Sequence, residues 1–265
     1  MSARLEARGV RLAYEGRVVA SDLSLAVPDG SFTVVVGPNA CGKSTLLRAF
    51  SRLLRPQAGA VVLDGAAIAS YRPKEAARRV GLLPQSATAP EGITVGDLVA
   101  RGRYPHQGLV RQWSAADEVA TTDAMLATGV EELRDRLVDD LSGGQRQRVW
   151  VAVALAQQTP LLLLDEPTTY LDVSHQVELL DLFADLHEAG TTVVAVLHDL
   201  NHAARYATHL VVMKDGAVVT AGAPAQVLTA QLVEDVYGLA CVVVPDPVTG
   251  TPMVVPRGRE SRRPR

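Results

Sequence analysis

Nine consecutive residues carry the densest chemistry in this chain: Gly37, Pro38, Asn39, Ala40, Cys41, Gly42, Lys43, Ser44 and Thr45. They follow G-x-x-x-x-G-K-[ST], the pattern of a loop that cradles phosphate. Its glycines let backbone N–H groups turn inward around a polyphosphate, and a helix starting behind it adds the positive end of its dipole. Lys43 would then neutralise β- and γ-phosphate oxygens, and Ser44 would offer its hydroxyl to Mg2+. Other polar groups end apolar runs. Asp165 and Glu166 follow Leu161–Leu164, and His198 follows Val193–Leu197. A core strand has no packing use for two adjacent acids at its end. Asp165 suits Mg2+ held through a water, and Glu166 suits orienting or deprotonating an attacking water. A lone histidine is usually structural, but His198, ending a strand beside such a loop, can reach a γ-phosphate. Ser142, Gly143, Gly144 and Gln145 open a further helix, with Ser142 as N-cap and the glycines leaving N–H groups open to an anion. The chain thus offers two anion-binding helix starts where one nucleotide needs one. A second copy resolves this, each presenting Ser142–Gln145 to its neighbour's nucleotide.

Several elements must position these groups. Phe32–Val36 reads as a buried strand entering the loop. Lys43–Leu54 reads as the helix leaving it, with Leu46, Leu47, Phe50, Leu53 and Leu54 on one face. Open parallel sheets bind ligands at the carboxyl ends of their strands, which predicts one site for loop, acid pair and histidine. Val10–Tyr14 and Ser24–Val27 read as strands of an antiparallel layer, and Ala60–Leu63 as another strand. Val80–Gln85 is a strand ended by Pro84; Thr191–Leu197 and Leu210–Met213 complete the core, with a turn at Lys214–Gly216. Lys74–Arg79 is a short helix. From Ser86 to Asp140 helical periodicity takes over, as in Thr94–Arg101 and Ser114–Thr128. Ala225–Tyr237 reads as a helical extension, Cys241–Val255 as a hairpin and Arg257–Arg265 as a basic tail. The expected fold is an α/β phosphate-loop core with an antiparallel β layer and an inserted helical subdomain. Its expected boundaries are 1–238 for the main domain, about 86–158 for the insertion, and 239–265 for hairpin and tail.

Composition narrows the classes. Of 265 residues, 48% are hydrophobic and 21% charged, enough for a sizeable core. Aromatics at 4% argue against a nucleobase-stacking or lectin-like surface, and a net charge of −3 argues against a polyanion binder. Apolar runs such as Val149–Ala156 fall far short of the ~20 residues of a membrane span, and the first residues show no secretory signal. Cys41 and Cys241 make neither a disulfide framework nor a metal site, which fits a reducing, cytoplasmic setting. Cys41, at a helix N-terminus beside Lys43, is expected to favour its thiolate.

Together these residues resemble the ATP-binding subunits of ATP-binding-cassette (ABC) transporters, in that family's order over nearly the whole chain. The resemblance implies ATP and Mg2+ as cofactors and a role for each matching residue. Tyr14 stacks on adenine, and Gly37–Thr45 hold the phosphates. Gln85 links Mg2+ to a membrane subunit, and Ser142–Gln145 bind ATP held by the other copy. Asp165 serves Mg2+, Glu166 is the base, Asp172 contacts the second copy, and His198 senses the γ-phosphate. Ala40 departs from the glycine of many relatives, which matters little if its φ is ordinary. Thr94–Gln107, Val196–Asn201 and Gly250–Pro256 look like the iron–siderophore importers of the family. That implies ATP-driven uptake of iron–siderophore complexes by a peripheral protein at the cytoplasmic face of the cell membrane. Its implied partners are a second copy, polytopic transmembrane permeases and, indirectly, a siderophore-binding protein, with no nucleic acid. Haem, cobalamin or another metal complex would use the same architecture. A soluble ABC ATPase acting on DNA or the ribosome is the distant rival; such proteins usually carry a long coiled coil or two cassettes, and this chain has neither.

Overall fold

The computed structural model describes residues 3–14, 16–108 and 113–258. Two compact units divide the chain: one runs to Ile68 and resumes at Val194, the other is Ala69–Val193. The second unit contains the helical stretch of about 86–158 together with strands and helices on either side of it.

The first unit opens with two strands of 12 residues, β1 (Ala3–Tyr14) and β2 (Arg17–Pro28). Both are longer than the alternation suggests. Their antiparallel register shifts at several points, and each shift breaks the two-residue period by which a strand is read. β3 (Phe32–Val36) follows, buried along its whole length, and leads to α1 (Lys43–Phe50). The helix stops short of the expected Leu54. Ser51 ends it, and Arg52 turns left-handed at φ 64° with its N–H on the Ala49 carbonyl. Leu53 is consequently 68% exposed rather than part of the apolar face. β4 (Ala58–Leu63) and β5 (Ala66–Ala67) complete a four-stranded sheet in the order β2-β1-β4-β5.

The second unit contains α2 (Pro73–Ala77), β6 (Val80–Leu83), α3 (Val95–Ala100), α4 (Ala115–Ala127), α5 (Gly143–Ala156), β7 (Leu161–Asp165) and α6 (Val173–Glu188). Thr94 caps α3 and Ser114 caps α4, each side chain accepting the N–H three residues on. Leu98, Met125, Val130, Val149 and Ala152 close an apolar cluster among α3, α4 and α5. A buried ion pair fixes the same region: Arg103 Nε donates to Asp117 Oδ1 at 2.8 Å, and its Nη1 donates to the Ala156 carbonyl at 2.7 Å. The Ser114 hydroxyl, and then the Arg103 guanidinium, hold the Asp117 carboxyl below its ordinary pKa.

The division falls inside β8 (Thr192–Val196). After it come α7 (Leu200–Tyr206), β9 (His209–Lys214), β10 (Ala217–Gly222), α8 (Pro224–Val227), α9 (Ala230–Tyr237), β11 (Cys241–Pro245) and β12 (Pro252–Pro256). In the first unit the strand order is β10-β9-β3-β8; in the second, β7 separates β8 from β6. The expected single extension over Ala225–Tyr237 is two helices, because Leu228 is extended and Thr229 caps α9. β11 and β12 pair as a hairpin, tied to α7 by Asn201, which donates to the Val254 carbonyl and accepts its N–H. The basic tail expected at Arg257–Arg265 lies, beyond Gly258, outside the described residues.

Candidate nucleotide-binding site

The loop after β3 is bounded by two glycines, and both are required by the chain's own geometry. A Cβ on Gly37 would fall 2.2 Å from the Met213 carbonyl oxygen and 2.8 Å from Cys41 Sγ. Gly42, at φ 105°, is the N-cap of α1 and supplies no side-chain cap. The first N–H groups of that helix are therefore not taken by a capping side chain. Lys43 is only 5% exposed, and its ammonium donates to the carbonyls of Gly37 at 2.8 Å and Pro38 at 2.9 Å. The carbonyls hold that cation within the loop, where a charged phosphate oxygen is a stronger acceptor than either. The Gly216 N–H donates to the Cys41 carbonyl at 3.1 Å and ties the loop to the β9–β10 turn. Ser44 and Thr45 are half-buried in the first turn of α1, and Asn39 is exposed.

Two expectations at this loop fail. Ala40 does not keep an ordinary φ: it is left-handed at φ 61°, a conformation that favours glycine. Cys41 does not favour its thiolate. The thiol is 4% exposed, and burial pushes its pKa up against the opposing pull of the Lys43 ammonium.

Tyr14 ends β1 and stays 46% exposed, so it is not a core tyrosine. The guanidinium of Arg48, on α1, lies over its ring at 5.3 Å from the centroid. His198 is exposed just past β8. The Leu197 N–H donates to the Val35 carbonyl at 3.3 Å, so the carboxyl ends of β3 and β8 lie side by side. His198 and Gly37 thus leave neighbouring strands.

In the second unit β6 and β7 run parallel with Leu83 opposite Leu164. That register brings together the residues two positions on: Gln85 Nε2 donates to Glu166 Oε2 at 2.8 Å. Asp165 is 4% exposed at the end of β7, and Glu166 turns left-handed at φ 54°. Ser142 caps α5 in a capping box: its hydroxyl accepts the Gln145 N–H, and the Gln145 side chain accepts the Ser142 N–H at 3.1 Å. The N–H groups of Gly143 and Gly144 take no part in that box. Asp172 caps α6, its Oδ1 accepting from the His175 N–H, the Ser174 hydroxyl and His175 Nδ1. These donors hold its carboxyl below the ordinary range. Arg48 and His175 were not among the sequence-selected residues. Arg48 lies far from Tyr14 in sequence and carries no local signal, whereas His175, three residues after Asp172, has the spacing of a capping partner.

A phosphate loop between a buried strand and a helix, with acids ending another strand, defines a nucleoside-triphosphate-binding α/β protein. Residues 20–169 match the ABC transporter family. The chain is 56% identical to the ferric enterobactin transport ATP-binding protein FepC of Escherichia coli (strain K12), over 97% of this chain and 95% of that one. It is 51% identical to the probable siderophore transport system ATP-binding protein YusV of Bacillus subtilis (strain 168), over 94% and 90%. Among solved structures it superposes on a dimeric bacterial ABC transporter cassette with a TM-score of 0.74 at 26% identity, covering 83% of this chain and 98% of that one. The chain belongs to the ABC transporter family, as one of its ATP-binding subunits.

Proposed function

We propose that this chain is the ATP-hydrolysing subunit of an importer for iron–siderophore complexes, working as a pair of copies on the cytoplasmic face of the membrane against separate permease subunits. The observation that carries the reading is 56% identity over nearly the full length of a ferric enterobactin transport ATP-binding protein. Among the described residues no helix is long and apolar enough to cross a membrane, so the transport path would belong to partner subunits.

Each residue has a role that its chemistry can supply. Tyr14 receives adenine. The N–H groups of Gly37–Thr45 and the Lys43 ammonium bind β- and γ-phosphate and neutralise developing charge. Ser142–Gln145 of the second copy close on the same phosphates, and Asp172 lies at the contact between copies. Glu166 orients the attacking water and takes its proton, and His198 holds the γ-phosphate in line. Ser44 hydroxyl, Asp165 carboxylate and the Gln85 carbonyl oxygen are the hard donors that Mg2+ prefers, and the Gln85 amide nitrogen is already spent on Glu166. Among the described residues no group of three His, Cys, Asp or Glu could cage a metal, which fits a cation completed by phosphate oxygens and water. When bound, Mg2+ supplies charge neutralisation across the β- and γ-phosphates. The helical segment of about 86–158 and the Gln85 loop carry closure to the permeases, and 239–265 is an appendage to the 1–238 ATPase domain.

The test uses a strain lacking the chain, complemented with wild type or Glu166→Gln, and follows radiolabelled ferric siderophores. Wild type restores uptake and the variant does not. Purified Glu166→Gln still binds ATP, loses hydrolysis by ~10²–10⁴, and accumulates as an ATP-bound dimer. Restored siderophore uptake by the variant would overturn the role of Glu166. Uptake that fails only for haem or cobalamin would move the substrate class.

A further inference from the structure

Tyr14 has two ring faces, and Arg48 lies over one of them. Arg48 lies over the ring at 5.3 Å from its centroid, the distance at which a guanidinium is held by an aromatic quadrupole. The two residues come from different elements, the end of β1 and the outer side of α1. Among the described residues no carboxylate forms a salt bridge with Arg48. Tyr14 is 46% exposed and Arg48 is exposed, so both remain within reach of solvent and of a ligand. A half-exposed tyrosine at a strand end otherwise rotates freely in its χ angles, and ordering it on binding costs entropy.

We propose that Arg48 is a positioning residue for the nucleotide base. Its guanidinium covers one face of the Tyr14 ring, fixes the ring plane, and leaves the opposite face as the platform on which adenine stacks. The charge also draws electron density from the ring, which favours stacking of an electron-rich purine on the opposite side. The helix that opens the phosphate loop therefore serves both ends of the nucleotide: its N-terminus the phosphates, its last turn the base. Arg48 touches the ring and not the nucleotide, so it acts on binding and leaves the chemical step alone. This rests on the reading of Tyr14 as the adenine platform.

The experiment measures dissociation constants for Mg·ATP and for inorganic tripolyphosphate, with steady-state kinetics, in wild type, Tyr14→Ala, Arg48→Ala, Arg48→Lys, Arg48→Met and the Tyr14→Ala/Arg48→Ala pair. Arg48→Ala and Arg48→Met are expected to weaken ATP about two- to fivefold, the worth of an exposed cation–π contact. They raise KM at unchanged kcat and leave tripolyphosphate binding as it was. Arg48→Lys recovers part of the loss. In the Tyr14→Ala background, removing Arg48 changes nothing further. Equal weakening of ATP and tripolyphosphate would overturn the proposal, because Arg48 would then act on the phosphates by charge. So would a loss that persists without Tyr14. If Tyr14→Ala itself leaves ATP affinity unchanged, the platform reading falls and takes the proposal with it. If Tyr14→Ala weakens ATP and Arg48→Ala does not, only the role of Arg48 falls.

Discussion

Two helices in this chain begin beside glycines, α1 at Gly42 and α5 at Gly143 and Gly144, and they begin differently. At α1 the glycines are required by the chain itself. A side chain on Gly37 would run into the Met213 carbonyl at 2.2 Å, and Gly42 holds a left-handed φ of 105° as an N-cap with no side-chain bond. At α5 the start is finished as an ordinary helix start, with Ser142 and Gln145 reciprocally bonded. A Cβ on Gly143 would meet only Tyr170 Cβ at 3.7 Å, and one on Gly144 only Leu171 Cδ2 at 3.4 Å and the Tyr170 carbonyl at 3.7 Å. These are normal contacts, so nothing in the chain's own packing asks for glycine. The difference fits the proposed roles: glycines required by their own packing at the start that would hold the chain's own nucleotide, and glycines not required by it at the start that would face a second copy's.

Alanine at each start separates the two cases, and gives the largest effects. Gly37→Ala should distort the loop and lower both ATP affinity and hydrolysis by ~10² or more, since several charge-assisted N–H bonds are lost together. Gly144→Ala should keep the melting temperature and the ATP affinity of the isolated chain. It should lose ~10² in steady-state hydrolysis, because the added methyl displaces the closing surface. Calorimetric ATP titration of both variants decides it. Were Gly144→Ala to weaken binding by the single chain as much as Gly37→Ala, the two helix starts would serve one nucleotide in cis and the comparison would be wrong.

The cap offers a smaller and sharper test. Ser142→Ala removes the hydroxyl that accepts the Gln145 N–H, and should cost about 1 kcal/mol of stability. No equivalent loss exists at α1, which has no capping side chain. Urea unfolding monitored by far-UV dichroism measures it. Full stability with hydrolysis abolished would mean that the Ser142 hydroxyl works outward, on phosphate, rather than on its own helix.

What was legible in the sequence follows from the range over which each signal acts. Caps are local: Thr94, Ser114 and Ser142 each lie one residue before a helix and bind the N–H three residues on, so those starts could be read from spacing alone. Buried strands such as Phe32–Val36 and Leu161–Asp165 announce themselves by unbroken apolar runs. Bulges in β1 and β2 and the left-handed turn at Arg52 were not legible, because register and φ depend on neighbouring chain segments. Chemistry set by burial was misread for the same reason. The Cys41 sequence context promises a thiolate, yet its pKa depends on the packing that closes over the sulfur. The Gln85–Glu166 bond is intermediate: its partners are 81 apart in sequence, and only the pairing of two recognisable strands brings them within 2.8 Å.

Ala40 carries the smallest effect and tests how strictly the loop needs its glycines. Alanine at φ 61° lies in the region that costs an L-residue about 1–2 kcal/mol. Glycine there would remove that strain, at the expense of about 0.4–1 kcal/mol from the larger freedom it gives the unfolded chain. Ala40→Gly should therefore stabilise the protein by about 0.5 kcal/mol, a rise of about 1–2 °C in melting temperature for a domain of this size. Ala40 is exposed, so no packing is lost with its methyl, and its backbone N–H survives the change. ATP affinity should stay within twofold, since the loop binds through that backbone and not through the side chain. Thermal melts with and without nucleotide read both quantities. A destabilised Ala40→Gly would show that the methyl supports the loop, and the strained residue would then belong with Gly37 as a position fixed by its own chain. A stabilised variant with unchanged ATP affinity would show that the loop tolerates a side chain wherever the backbone alone does the binding, and that Gly37 and Gly42 are glycines for want of space and for their φ.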